Sequence, residues 1–377
     1  MGIKPIRKLL FNPGPSTTTQ NVKLSQVVSD ICPREKDFIK LTNNLRKDLL
    51  KIVNKNNNDY TSVLFGGSGT AAMEATISSV VDRESSLLII INGAYGKRME
   101  SIAKLHSIDY VTIEYKWGKS INFEEVERAI INNSRIRYIA MVHHETTTGI
   151  LNDIQKFSNI GRKYNKKLII DTISSFAGIE INLKKTPIDY LMSTSNKCIQ
   201  GMAGISFVIF KKDEIPHLEK IKPRSYYLSL YDEYMNVKSS GESRFTPPVQ
   251  VAYALRSAID EFFNEGLMNR YERYKHNYSL LREGLSQLGF KFLLNAKDEA
   301  GILLAIKQPT NLNYSFTDLH DYLFEHNITI YPGKITDNDT FRLSIIGDLY
   351  EKDIDFLIKK LNSFLISRSL NGNLYNN

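Results

Sequence analysis

The sequence predicts an α/β protein: a mostly parallel sheet with helices on both faces, followed by a smaller C-terminal α+β domain. Three observations predict it. Short apolar, β-branched runs alternate with helix-period segments through the first two thirds of the chain. Glycine-rich turns lead from several of the strand-like runs into helices. Beyond about Val249 the alternation gives way to a long helical stretch and shorter strands. A chain of 377 residues suits two or so domains.

In chain order, residues 62–65 read as an apolar strand. It runs into Gly66-Gly67-Ser68-Gly69-Thr70 and then a helix over 71–81. Residues 87–91 are a buried-type strand, leading into Gly93-Ala94-Tyr95-Gly96 and a helix to about 106. The β-branched and aromatic content of 110–115 suits a strand. Asn122 is placed to cap the helical FEEVERAII, with Glu125 at capping-box spacing. Residues 138–142 form a strand, 153–164 a helix, and 168–170 a strand that ends at Asp171. Further strands lie at 188–192 and 207–210. A helical stretch covers 249–288 with a break near Gly266. Strands at 301–306 and 329–331 and helices at 317–325 and 351–364 complete the smaller domain. The tail from 367 onward has no periodicity and is expected to fray. The asparagine run 54–58 reads as a loop.

Composition bounds the function. The 42% hydrophobic and 24% charged content fits a globular protein and excludes a disordered or collagenous chain. Two cysteines, Cys32 and Cys198, cannot build a disulfide framework and suit a reducing compartment. The N-terminus lacks an apolar signal core. The longest aliphatic run, 87–91, is far short of the ~20 residues of a membrane helix. The expected location is therefore cytoplasmic, with no membrane association. The charge of 49 minus 41, or +8, comes from scattered lysine pairs without a dense basic stretch. Nucleic acid is thus not an expected partner. A mildly positive field suits a small anionic substrate.

In open α/β sheets, ligands sit beyond the carboxyl ends of the strands. Chemistry-bearing residues gather at those ends here. The glycine turn at 66–70 is neither a P-loop nor a dinucleotide fingerprint, but it suits an anion at a helix N-terminus. Asp171 closes a buried strand, where a carboxylate needs a partner. Lys197 comes after the neutral polar Ser193-Thr194-Ser195-Asn196 and precedes Gly201-Met202-Ala203-Gly204. A lysine drawn into such a site has a lowered pKa and bonds covalently to a carbonyl carbon. Tyr95 offers a stacking face. Phosphate donors, an acid, an amine and a flat ring are together what pyridoxal phosphate requires. The run His143-His144-Glu145 lacks the spacing of a metal motif, and Cys198 reads as a small buried thiol.

These residues resemble the class V, fold-type I pyridoxal-phosphate aminotransferases. The match runs from about Leu9 to about Phe364. It is carried by Asn12-Pro13-Gly14-Pro15, Gly67-Ser68-Gly69-Thr70, Asn92-Gly93-Ala94-Tyr95-Gly96, Glu145-Thr146-Thr147-Thr148-Gly149, Asp171-Thr172-Ile173-Ser174-Ser175-Phe176, Ser195-Asn196-Lys197-Cys198-Ile199-Gln200-Gly201, Arg244-Phe245-Thr246-Pro247 and Tyr331-Pro332-Gly333-Lys334. The resemblance implies the fold-type I architecture with a seven-stranded-type sheet. It implies that Lys197 holds the cofactor, Asp171 pairs with its ring nitrogen, and Ser68, Gly69 and Thr70 hold its phosphate. Tyr95 would stack on the ring, and Thr146 would hydrogen-bond the ring hydroxyl. Ser243 and Thr246 would reach the cofactor of a neighbouring subunit, which implies a homodimer with its sites at the interface. Arg342 would bind the anionic end of an amine or keto-acid substrate.

Within the family the NKCIQG, ETTTG and YPGK runs are most similar to the branch that exchanges an amino group between 2-aminoethylphosphonate and pyruvate. Members acting on alanine and glyoxylate, or on serine and pyruvate, are the alternative. The segment 32–37, His144 and Ser344 depart from that branch's pattern. The expected domains are a large cofactor-binding unit over 16–260 and a small unit from 1–15 and 261–366, with 367–377 as the tail.

Overall fold

The structure, a computed structural model, describes residues 6–53, 58–332, 340–370 and 372–375. Most of the asparagine loop and the Gly333-Lys334 half of the YPGK run lie outside the described residues. The strands, in chain order, are β1 (Leu9–Leu10), β2 (Tyr60–Gly66), β3 (Ser86–Ile91), β4 (Tyr110–Glu114), β5 (Ile136–Val142), β6 (His144–Glu145), β7 (Ile150–Leu151), β8 (Lys167–Asp171), β9 (Tyr190–Thr194), β10 (Ile205–Lys211), β11 (Leu303–Lys307), β12 (Ile328–Thr329), β13 (Tyr331–Pro332) and β14 (Thr340–Ser344). The helices are α1 (Gln20–Leu24), α2 (Lys36–Val53), α3 (Gly69–Val80), α4 (Ala94–Leu105), α5 (Phe123–Asn132), α6 (Ile154–Lys163), α7 (Ile215–Leu218), α8 (Leu230–Ser240), α9 (Val249–Glu265), α10 (Leu267–Gln287), α11 (Phe316–Glu325) and α12 (Glu351–Ser367).

A seven-stranded sheet runs in the order β2-β10-β9-β8-β5-β3-β4. All its pairings are parallel except the two made by β10. The reason is length. Residues 195–204 are too few for a parallel crossover, which needs a dozen or more, so β10 returns antiparallel to β9. The sheet is buried on both faces, as parallel sheets are. Along β3, Leu88 and Ile90 face one core while Leu87, Ile89 and Ile91 face the other. The first core is covered by α2, α5, α6 and α9, the second by α3, α4 and α8.

A third core gathers Leu9 and Phe11 with residues of α10, α11, α12, β11, β12 and β14. It is built on the antiparallel sheet β11-β14-β13 and on the parallel pair of β1 with β12. The strand read at 329–331 splits in two. Its halves join different sheets, with the fully buried Ile330 between them. The long helical stretch does break at Gly266. Described residues of the tail dock, where the sequence predicts fraying. Leu370 and Leu374 are buried in the third core, and the Tyr375 hydroxyl donates to the Lys307 carbonyl at 2.8 Å. Two leucines spaced four apart supply enough apolar area to dock a segment without a helical repeat. Among the described residues no helix is long and apolar enough to cross a membrane.

Candidate active site

The strands β2, β3, β5, β8 and β9 point the same way, so the turns after them meet at one sheet edge. There a cavity of about 170 Å³ is lined by Ser68, Gly69, Thr70, Tyr95, Arg98, Val142, His144, Thr146, Asp171, Ile173, Ser174, Thr194, Asn196 and Lys197. Turns that lie far apart in sequence thus share one wall.

Lys197 lies in the connection that folds β10 back beside β9. The loop is held from within: the Gly201 N–H donates to the Ser195 carbonyl at 2.8 Å, and the Gln200 N–H to the Lys197 carbonyl at 2.9 Å. The N-terminal segment clasps it from outside. The Ser16 hydroxyl donates to the Lys197 carbonyl at 3.1 Å, and Lys197 Nζ donates to the Pro13 carbonyl. Gly14 fits because it has no side chain: a Cβ there would lie 2.3 Å from Lys197 Nζ, and its φ of +128° disfavours any other residue. Burial brings the Lys197 amine down to about 8. Arg342 and Arg98 push the same way, while Cys198 and Asp171 oppose.

Asp171 is the last residue of β8 and is 3% exposed. Its Oδ1 accepts the Ile173 N–H at 2.7 Å. Burial raises its carboxyl to about 7, opposed by that hydrogen bond and by the charges of Arg98 and Lys197. A cation placed against it would restore its ordinary acidity.

Ser68 is the N-cap of α3, yet its side chain makes no capping bond. Its hydroxyl and the first N–H groups of α3 therefore face the cavity as donors. Tyr95 and Thr146 are held together by Glu145, which is fully buried. The Glu145 carboxylate accepts from the N–H groups of Tyr95 at 3.0 Å, Gly96 at 3.4 Å and Thr147 at 3.2 Å, and from the Thr147 hydroxyl. Burial nonetheless raises its pKa. Gly93 admits this carboxylate, since a Cβ there would stand 2.2 Å from Glu145 Cγ. Arg342 lies on β14, 2% exposed, and donates to the carbonyls of Pro332 at 3.0 Å and Thr146 at 3.4 Å. Among the described residues it makes no ion pair, so its charge is open to an anion.

Eight expected residues thus come together: Ser68, Gly69, Thr70, Tyr95, Thr146, Asp171 and Lys197 line the cavity, and Arg342 abuts it through Thr146. Ser243 and Thr246 do not join them in this chain. Ser243 lines a separate cavity with Gly66, Tyr227, Glu233 and Phe245, and Thr246 is exposed. The sequence reading misses Arg98. The available signal is its spacing three residues after Tyr95, which puts both on one helix face. His144 also lines the wall. Among the described residues neither of its ring nitrogens has a hydrogen-bond partner, and burial, with His143 beside it, pushes the ring down to about 3. Among the described residues no group of three His, Cys, Asp or Glu side chains is placed to hold a metal ion. Cys198 is buried, with its thiol pushed up to about 12.

Comparison with known proteins agrees with this geometry. Residues 17–357 match the model of the aminotransferase class-V family. The chain is 39% identical over 355 residues to a 2-aminoethylphosphonate–pyruvate transaminase of Bacillus cereus, covering 94% of this chain and 96% of that one. It is 38% identical over 359 residues to a bifunctional phosphonoacetaldehyde hydrolase/aminoethylphosphonate transaminase of Clostridioides difficile. That match covers 95% of this chain but only 56% of the longer relative. Among solved structures, an alanine–glyoxylate aminotransferase from Nostoc sp. superposes with a TM-score of 0.88 at 27% identity, covering 97% of each chain. With the cavity, its lysine and aspartate, and these likenesses in agreement, the chain belongs to the class V aminotransferases.

Proposed function

We propose that the protein transfers an amino group between 2-aminoethylphosphonate and pyruvate, giving phosphonoacetaldehyde and alanine, with pyridoxal 5'-phosphate as its cofactor. The observation that carries this reading is the meeting of Lys197, Asp171 and the α3 N-terminus in one cavity, with the unpaired Arg342 beside it. The donor set fits the cofactor: an amine for its aldehyde, a buried carboxylate for its ring nitrogen, a hydroxyl and N–H cup for its phosphate, and a tyrosine beside the ring site. When bound, the cofactor supplies an electrophilic carbon and a ring that accepts electron density from the substrate carbon losing its proton.

The chain's own residues do the rest. Burial brings the Lys197 amine down to about 8, so more of it is neutral near pH 7 than of an ordinary lysine, and the neutral amine is the form that bonds to an aldehyde. Lys197 Nζ would carry the proton taken from the amine-bearing carbon to the electrophilic carbon that the cofactor supplies. Asp171 keeps the ring nitrogen protonated. Arg342 holds the phosphonate or carboxylate, whose paired oxygens match its planar fork.

A homodimer belongs to the same proposal. Ser243 and Thr246 lie off their own cavity, beside the exposed Tyr226 and Tyr227, and they would complete the partner's phosphate site. A monomer in sedimentation at micromolar concentration would overturn this part. A large unit over 16–260 and a small unit over 1–15 and 261–366 are likewise proposed, supported by the separate third core. A cytoplasmic location is supported by two free cysteines.

The test is a half-reaction. Cofactor-loaded protein receives 2-aminoethylphosphonate without any keto acid, and the absorbance of the bound cofactor is followed. The expected result is loss of the aldehyde-form band and growth of the aminated form. Lys197→Ala should reduce the rate by several orders of magnitude. A band that ignores 2-aminoethylphosphonate but responds to alanine would keep the transaminase and overturn the phosphonate substrate.

A further inference from the structure

Arg98 has no place in the roles assigned so far, yet it stands in the cavity wall. Its guanidinium lies over the Tyr95 ring, 4.7 Å from the centroid. Its Nη1 donates to Thr70 Oγ1 at 2.9 Å. Among the described residues it makes no ion pair with a carboxylate, so its charge is not spent inside the fold.

We propose that Arg98, acting with Thr70, is a further anion-binding residue of the cup for the cofactor's phosphate; this rests on the pyridoxal-phosphate reading above. Two physical points carry it. The first is the direction of the Thr70 hydroxyl. A hydroxyl has one hydrogen and two acceptor lone pairs, whereas a guanidinium only donates. Thr70 Oγ1 must therefore accept from Arg98, and its own hydrogen is left for another acceptor, as a phosphate oxygen is. The second is charge. A phosphate monoester bears about 1.5 to 2 negative charges near neutral pH, and a helix N-terminus offers only about half a positive charge. Ser68, Gly69 and Thr70 are neutral. Arg98 is the cation hydrogen-bonded to that cup, and its remaining N–H donors suit a pair of oxygens.

The test compares two ligands of the cofactor-free protein: pyridoxal phosphate and pyridoxal, which lacks the phosphate. Binding is read from the absorbance of the bound ligand. Arg98→Met should weaken pyridoxal phosphate about tenfold or more, the scale of a charge-assisted hydrogen bond, and leave pyridoxal within about twofold. Arg98→Lys keeps the charge and should recover part of the loss, which preserves the test should the methionine variant not fold. In a Thr70→Val background the arginine substitution should cost less, because the two act as a unit. Equal weakening of both ligands would assign Arg98 to the Tyr95 ring and overturn the proposal. Unchanged affinities with a raised KM for 2-aminoethylphosphonate would assign it to the substrate and overturn it too. Failure of the unaltered protein to bind pyridoxal phosphate would instead defeat the cofactor reading, and this inference with it.

Discussion

Asp171 ends its strand with a carboxylate that holds its proton to about pH 7, against an ordinary value of 3.8. Folded protein therefore binds more protons than unfolded protein between those values. By linkage, the cofactor-free protein loses stability as pH rises from about 4 to 7, at up to about 1.4 kcal/mol per unit. The contribution is fully present below about pH 4 and gone above about 7. Asp171→Asn removes this contribution to the slope, so the variant should equal or exceed the parent in cofactor-free thermal stability at pH 8. It should also lose most turnover, because an amide cannot hold the ring nitrogen protonated. Melting curves across pH, with and without the cofactor, check both. Glu233, likewise raised to about 7 by burial, keeps its own slope in the variant, so a variant as steep as the parent would contradict the assignment. Glu145 makes a complementary case. Its carboxylate accepts four donors, so Glu145→Gln must turn an amide N–H toward at least one of them. About 1–3 kcal/mol of stability should be lost in urea melts, with Glu145→Ala worse still through the four donors it leaves unpaired.

At the scale of elements, the legible parts are those where a buried strand stops and chemistry begins. Asp171, Lys197 and the glycine turn into α3 interrupt apolar runs, so they stand out in the sequence and again at the sheet edge. Boundaries blur where the flanks are equally apolar. The strand read at 188–192 is Tyr190–Thr194, because Ile188 is as buried as the strand itself. The strand-and-helix alternation starts only at β2, and so it misses α2, although Phe38, Leu45, Leu49 and Ile52 keep a helical period. Asn122 does cap α5, accepting the Glu124 N–H at 3.0 Å, but Glu125 meets the Asn122 amide rather than its backbone. Arg98 illustrates the harder limit. Its neighbour Thr70 is on another helix, and only the fold brings α3 and α4 side by side. A sequence shows which residues share a helix face, but not which second helix that face meets.

Among the described residues, three large cores divide the labour: two sandwich the seven-stranded sheet, and the third joins Leu9 and Phe11 to α10, α11 and α12. The C-terminal segment belongs to that third core through Leu370 and Leu374. Burying two leucines is worth roughly 3–6 kcal/mol before ordering costs. Truncation after Arg368 should therefore lower the urea midpoint by the equivalent of about 2 kcal/mol or more, while the absorbance of bound cofactor is kept. A truncated protein of unchanged midpoint would show that the docked tail adds nothing.

The clasp around Lys197 ties together parts of the chain that are far apart in sequence. The segment that carries Pro13 and Ser16 precedes every strand of the seven-stranded sheet, whose last strand in sequence ends at Lys211. Yet β1 pairs with β12, the Phe11 carbonyl accepts the Ser344 N–H at 2.7 Å, and Arg7 reaches Asp353. These partners all follow the last strand of that sheet in the sequence. The segment over Lys197 is therefore anchored only once β12 and β14 have folded against it. Such long-range closure is slow, so the lysine loop takes its final form late in folding, and damage to the third core should loosen a loop that joins two strands of the seven-stranded sheet.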